Sequence, residues 1–97
     1  MGRIELELYA DRLARHAERL RDDVEGGRMR IEWARLERTA REELGQRDTA
    51  VLEALGVLGS DDEAAERRLI DRRLRQLRAV ERLQALVERE IDAAGGS

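Results

Sequence analysis

The chain has 97 residues, of which 42% are charged, and a net charge of only −3, so we expect interleaved charges rather than an acidic or basic tail. It contains no cysteine, which excludes a disulfide framework, a thiolate nucleophile and a cysteine-bound zinc site. Neither an apolar run of about 18 residues nor a signal-like N-terminus is present, which predicts a cytoplasmic protein without a membrane partner.

The first predicted helix spans residues 3–24. Apolar side chains recur in steps of three and four from Leu6 to Val24, which places them on one helical face. Gly26 and Gly27 follow directly, and glycine just past a helix adopts the left-handed cap conformation without a Cβ penalty. The sequence therefore predicts a turn at this pair that reverses the chain.

The second predicted helix spans residues 28–44. Trp33 is expected to pack inside the protein, and if it proves exposed it becomes the first candidate for partner binding. A short helix is predicted over residues 49–58, and its continuity with the second stays open because one glycine, Gly45, costs only about 1 kcal/mol in a helix. The apolar stripe of the second helix consists of Met29, Trp33, Leu36, Ala40 and Leu44.

The last predicted helix spans residues 61–93, before a disordered tail over residues 94–97. Ser60 precedes Glu63 by three residues, which is a capping-box pattern. Apolar positions of this helix drift around its axis, and a wide stripe favours contacts with more than one neighbour.

These elements predict one all-α domain over residues 1–97. The first two helices would form a hairpin, and the long C-terminal helix would pack against it in an antiparallel, coiled-coil-like bundle. A core built almost entirely from aliphatic side chains buries little apolar surface in a chain of this length, so that a monomer would be only marginally stable. This favours a homodimer. The residues predicted for helix packing or for an interface are Met29, Trp33, Leu36, Ile70, Leu74, Leu77, Val80, Leu83 and Val87.

Catalytic chemistry has little support in the residues. The lone histidine, His16, has no ligand at helical spacing, and Ser60 is explained as a cap. We therefore predict no enzyme, no catalytic residue, no cofactor and no metal site. A remote alternative is a metal-dependent helical hydrolase, in which Glu63 and Glu66 would share one helix face as ligands.

All 19 basic residues are arginine, and those of the last helix, apart from Arg73, gather in one sector. This sector is either solvated, paired with acids of the first helix such as Asp11, Glu18 and Asp22, or a surface for an acidic protein or a nucleic-acid backbone. The net acidic charge and the lack of interleaved aromatic side chains argue against nucleic acid. The arginines of this possible partner or anion surface are Arg67, Arg68, Arg72, Arg75, Arg78 and Arg82.

The leading hypothesis is a non-enzymatic helical protein–protein interaction module, such as an adaptor, a chaperone or an assembly factor. It predicts two partners, a second copy of the chain and another protein. The alternative is a nucleic-acid-associated regulator that uses the arginine sector.

Overall fold

The computed structural model describes residues 2–59 and 62–95, which form two helices, α1 (Arg3–Ala54) and α2 (Glu63–Gly95). The described residues contain no strand, and α1 packs against α2. The predicted all-α helical hairpin is thereby confirmed, although its two arms are α1 and α2 rather than the first two predicted helices. Neither described helix combines the length and the apolarity needed to cross a membrane.

The chain divides into two compact units. Of the described residues, 2–24 and 71–95 belong to unit 1, and 25–59 with 62–70 belong to unit 2. Both α1 and α2 therefore contribute to each unit.

Unit 1 is built on apolar contacts between antiparallel helices. Leu6 and Leu13 of α1 form a buried cluster with Val87 of α2, while Asp23 lies 3.6 Å from Arg73 near the other end of the pair. Burial of such side chains is worth about 1.5–3 kcal/mol each. Half-buried side chains surround the cluster, namely Tyr9, Ala10, Val80, Leu83 and Ile91.

The buried and half-buried positions on the face of α1 that packs against α2 follow alternating steps of three and four residues. This period of 3.5 is that of a two-stranded coiled coil, and it keeps one seam facing the partner helix. Of the residues predicted on α2 for packing, the structure buries Ile70, Leu77 and Val87 and half-buries Leu74, Val80 and Leu83. The α1 seam consists of Leu6, Ala10, Leu13, Ala17, Leu20, Val24, Gly27, Ile31 and Ala34.

The predicted turn at Gly26 and Gly27 is wrong, because α1 continues through both residues. Gly27 occupies a buried seam position, and a Cβ atom on it would lie 2.7 Å from Cγ1 of Ile70. The glycine therefore serves the close approach of two helices rather than a chain reversal.

Gly45 does interrupt the helix, as its φ of 79° and ψ of 173° are non-helical. In a straight helix the Cα atoms of Arg41 and Glu53 would be about 18 Å apart. Their side chains nevertheless meet, with 3.4 Å between Arg41 Nε and Glu53 Oε1. The helix axis must therefore bend sharply at Gly45, where positive φ suits glycine.

The end of α1 shows that the predicted helix over residues 49–58 is too long. Gly56 has a φ of 75° and its N–H donates to the carbonyl of Glu53 at 3.0 Å, while the N–H of Val57 donates to the carbonyl of Leu52 at 3.0 Å. These two bonds form a Schellman motif with glycine at its left-handed position. They stop the helix at Ala54.

The start of α2 also differs from the prediction. Asp62 caps the helix, because its Oδ1 accepts the N–H of Ala65 at 3.0 Å, and the helix begins at Glu63 rather than at residue 61. The predicted cap, Ser60, lies outside the described residues. Residues 94 and 95 of the predicted tail are helical, and residues 96–97 lie outside the described part.

Candidate protein-interaction surface

The apolar stripe predicted to pack inside the protein lies on its surface. Trp33 is 58% exposed and Leu36 is 68% exposed. Trp33 follows the buried Ile31 by two residues, which turns it about 200° around the helix axis. The prediction of internal packing for Met29, Trp33 and Leu36 is therefore wrong, because the seam with α2 uses the opposite face. We call Met29, Trp33, Leu36, Ala40 and Leu44 the outer stripe.

Exposed apolar side chains concentrate in unit 2. Of the ten large hydrophobic side chains exposed among the described residues, seven belong to this unit. Single exposed hydrophobic side chains are ordinary, whereas several of them on one part of a protein make a candidate interaction surface. The seven are Met29, Trp33, Leu36, Leu44, Val51, Leu55 and Val57.

An open groove of about 250 Å³ lies where the outer stripe reaches the bend at Gly45. Leu44, Asp48, Val51 and Leu52 line it. Three of these four side chains are aliphatic, so the groove provides apolar contact area with one carboxylate at its side. The sequence analysis did not identify Val51, Leu55 and Val57 as surface residues, because it placed them in a short predicted helix without a packing partner.

A smaller cleft of about 150 Å³ opens beside Trp33 and is lined in part by Arg30, Glu37, Asp62 and Glu66. Glu66 accepts a hydrogen bond from Arg30 at 3.0 Å through Oε1, and its Oε2 is buried without a hydrogen-bond partner. With three carboxylates against one arginine in its lining, the cleft favours a cationic group over an anionic one.

Three arginines hold the first residue of α2 in unit 2. Glu63, whose side chain is only 16% exposed, accepts hydrogen bonds from Arg38 at 2.7 Å, Arg67 at 2.6 Å and Arg35 at 3.0 Å. The bonds from Arg38 and then Arg67 lower the pKa of Glu63 from 4.5 to about 2, although burial opposes them. We call Glu63, Arg35, Arg38 and Arg67 the Glu63 cluster.

The predicted carboxylate ligands of a metal are thus both bound to arginines, Glu63 in its cluster and Glu66 through Arg30. Within residues 2–59 and 62–95, no three acidic, histidine or cysteine side chains are grouped to hold a metal ion. His16 lies exposed on α1.

The arginines of the predicted sector differ in their contacts. Arg67 belongs to the Glu63 cluster, whereas the remaining members are exposed and form no ion pair among the described residues. The acids considered as their partners, Asp11, Glu18 and Asp22, do not pair with them. The exposed members are Arg68 in unit 2 and Arg72, Arg75, Arg78 and Arg82 in unit 1.

In comparisons with protein-family models, with curated proteins and with solved structures, nothing matches this chain. Its function has to be inferred from its own residues. Among the described residues, unit 2 holds seven of the ten large hydrophobic side chains that the packing of the chain leaves exposed.

Proposed function

We propose that this chain is a non-enzymatic helical protein–protein interaction module of the cytoplasm, acting as an adaptor, a chaperone or an assembly factor. It functions as a homo-oligomer and uses the exposed apolar side chains of unit 2 to bind protein. A cofactor is not part of this function.

The exposure of Trp33 within the outer stripe carries the proposal. Tryptophan dominates the energetics of protein interfaces because it buries a large apolar area with little loss of conformational freedom. An indole that is 58% exposed contributes little to the stability of its own chain. A role in binding explains why apolar side chains continue on this face beyond Trp33.

Site-specific photo-crosslinking tests the proposal, with the photoreactive residue at Leu55 of unit 2 in cells of the source organism. Leu8 of unit 1 is the matched control, because the two leucines are 70% and 64% exposed. We expect a defined adduct with another protein at Leu55 and none at Leu8. Equal adducts at both positions, or adducts at Leu8 alone, would contradict the proposal.

A second candidate function is binding of a nucleic-acid backbone. It is favoured by the lack of ion pairs at Arg68, Arg72, Arg75, Arg78 and Arg82 among the described residues. Arginines not neutralised by neighbouring carboxylates can displace counterions from phosphates, and the resulting affinity falls steeply with salt.

Binding of the purified chain to duplex DNA and to single-stranded RNA, measured at several salt concentrations, tests this candidate. The logarithm of the binding constant falls linearly with the logarithm of the salt concentration. In the combined Arg68→Glu and Arg75→Glu variant, this slope should become shallower by about 0.7–0.9 for each phosphate that an arginine no longer neutralises. Arg19→Glu is the control, because it makes the same change of charge at an exposed position of α1, outside the arginine sector. Absence of binding at about 50 mM salt, where phosphate contacts are strong, would exclude this candidate.

A further inference from the structure

We propose that the outer stripe pairs with the outer stripe of a second copy of this chain, across a two-fold axis that passes near Leu36. The inference rests on the proposed function, since it names the occupant of one part of the proposed binding surface. The exposed side chains of Leu55 and Val57, beyond the bend at Gly45, lie outside the outer stripe and stay available for another protein.

The first argument is the accessible surface. A folded monomer of 11.1 kDa is expected to expose about 5,700 Å², whereas this chain exposes 7559 Å². The surplus is about 1,900 Å². The surplus belongs to the chain as a whole, and it is comparable to the roughly 1,000–2,500 Å² that an obligate homodimer buries from each subunit.

The second argument is charge. Residues 25–47, which carry the outer stripe, contain six arginines and five glutamates. Arg30 and Arg41 are further neutralised by Glu66 and Glu53. A nearly neutral surface does not repel its own copy, and it gives a strongly acidic or basic partner no net attraction.

The third argument is the length of the stripe. From Met29 to Leu44 it extends about 22 Å along the helix, and its midpoint falls next to Leu36. In a two-fold interface the same patch meets itself, so antiparallel pairing at this midpoint brings Met29 near Leu44 of the second copy. This register covers the whole stripe on both copies, and an offset register would leave one end exposed.

Sedimentation and fluorescence of the purified full-length chain test the pairing. Over about 1–100 μM, where a homodimer of this interface size is expected to associate, we expect twice the monomer mass of 11.1 kDa. Trp33 is the only tryptophan, so its emission should shift to shorter wavelength as the mass doubles.

Leu36→Glu should weaken the dimer by at least about 30-fold in Kd, as for an interface hot spot, without loss of helical circular dichroism. Leu8→Glu, at a leucine of similar exposure in unit 1, should leave the dimer intact. A monomer at every concentration would overturn the inference. A dimer that persists in Leu36→Glu, or that forms without a shift of Trp33 emission, would overturn it as well.

Cysteine crosslinking tests the register, because the chain contains no native cysteine. Under mild oxidation Leu36→Cys should form disulfide-linked dimers, and a mixture of Met29→Cys with Leu44→Cys should form mixed dimers. Leu8→Cys is the control and should remain monomeric in denaturing electrophoresis. Equal crosslinking of Leu8→Cys and Leu36→Cys would overturn the proposed interface.

The two proposals fail in different ways. A monomeric purified chain that still forms the Leu55 adduct in cells would overturn self-pairing and leave the interaction function standing. A dimer through the outer stripe without any adduct at Leu55 would support self-pairing and contradict the binding of another protein.

Discussion

Units 1 and 2 use the same helices in different ways. In unit 1 both helices present apolar side chains to each other, and Leu6, Leu13 and Val87 form a buried cluster. In unit 2, α2 supplies only Glu63–Ile70, and Arg30, Arg35 and Arg38 bind the carboxylates of its first turn. Unit 2 therefore leaves more large apolar side chains exposed than unit 1 does, and this difference is the basis on which we propose unit 2 as the part that binds a partner.

The largest expected effect on stability is that of truncating a buried leucine. Leu13→Ala in unit 1 should lower the free energy of unfolding by about 2–5 kcal/mol, because it removes a buried leucine and leaves a cavity. Leu55→Ala in unit 2 should change it by less than about 0.5 kcal/mol, since this leucine is exposed. Chemical denaturation of both variants measures the difference, and equal losses would remove the contrast between the units.

A second comparison concerns the glycine pair of unit 2. Gly27→Ala should destabilise the chain by about 1–3 kcal/mol through overpacking against Ile70. Gly26→Ala should stabilise it by about 0.5–1 kcal/mol, because the added Cβ meets only the end of Arg30 at 3.4 Å.

Thermal unfolding of both glycine variants provides the measurement. In an Ile70→Ala background, Gly27→Ala should lose its penalty, since the methyl group then fills vacated space. A penalty of unchanged size in that background would show that Ile70 is not its cause.

The glycines after α1 give a smaller effect. Gly56→Ala should cost about 1–2 kcal/mol, because an L-residue in the left-handed conformation is strained. At Gly59 a Cβ would meet nothing within 4 Å and φ is not positive, so Gly59→Ala should be nearly neutral. Similar melting temperatures for the two variants would contradict a Schellman stop at Gly56.

The last comparison concerns Glu63 and the pH dependence of stability. Its pKa of about 2 in the folded chain lies below the ordinary value of 4.5, so it contributes stability above about pH 4.5 that is lost as the pH falls toward 2. Glu63→Gln should therefore flatten the pH dependence of stability in this range.

Glu81→Gln in unit 1 is the matched control for Glu63→Gln, because the Arg21–Glu81 pair is exposed and 4.0 Å long. Exposed pairs of this kind contribute little. A pH profile for Glu63→Gln that parallels the wild-type profile would contradict the role of the Glu63 cluster.

The sequence predicted the all-α class and most of α2, because these depend on local spacing and on residue type, and it left the continuity of the helix across Gly45 open. It could not identify Gly27 as a packing position, because a glycine pair suits a cap and a close approach equally until Ile70 is placed beside it. The face that carries Trp33 could not be assigned either. Two stripes with helical spacing run along this part of α1, and only the position of α2 decides which one is buried.

The Gly56 stop and the Asp62 cap have a consequence for the order of folding. Contacts close to this loop join residues near in sequence, such as Arg41 with Glu53 and Arg38 with Glu63, which are 12 and 25 positions apart. Leu6 and Val87 lie near opposite ends of the described chain, and the entropy lost on joining them directly is larger. We therefore expect the transition state for folding to contain the contact of Arg41 with Glu53 and the Glu63 cluster, with the apolar cluster of unit 1 closing afterwards.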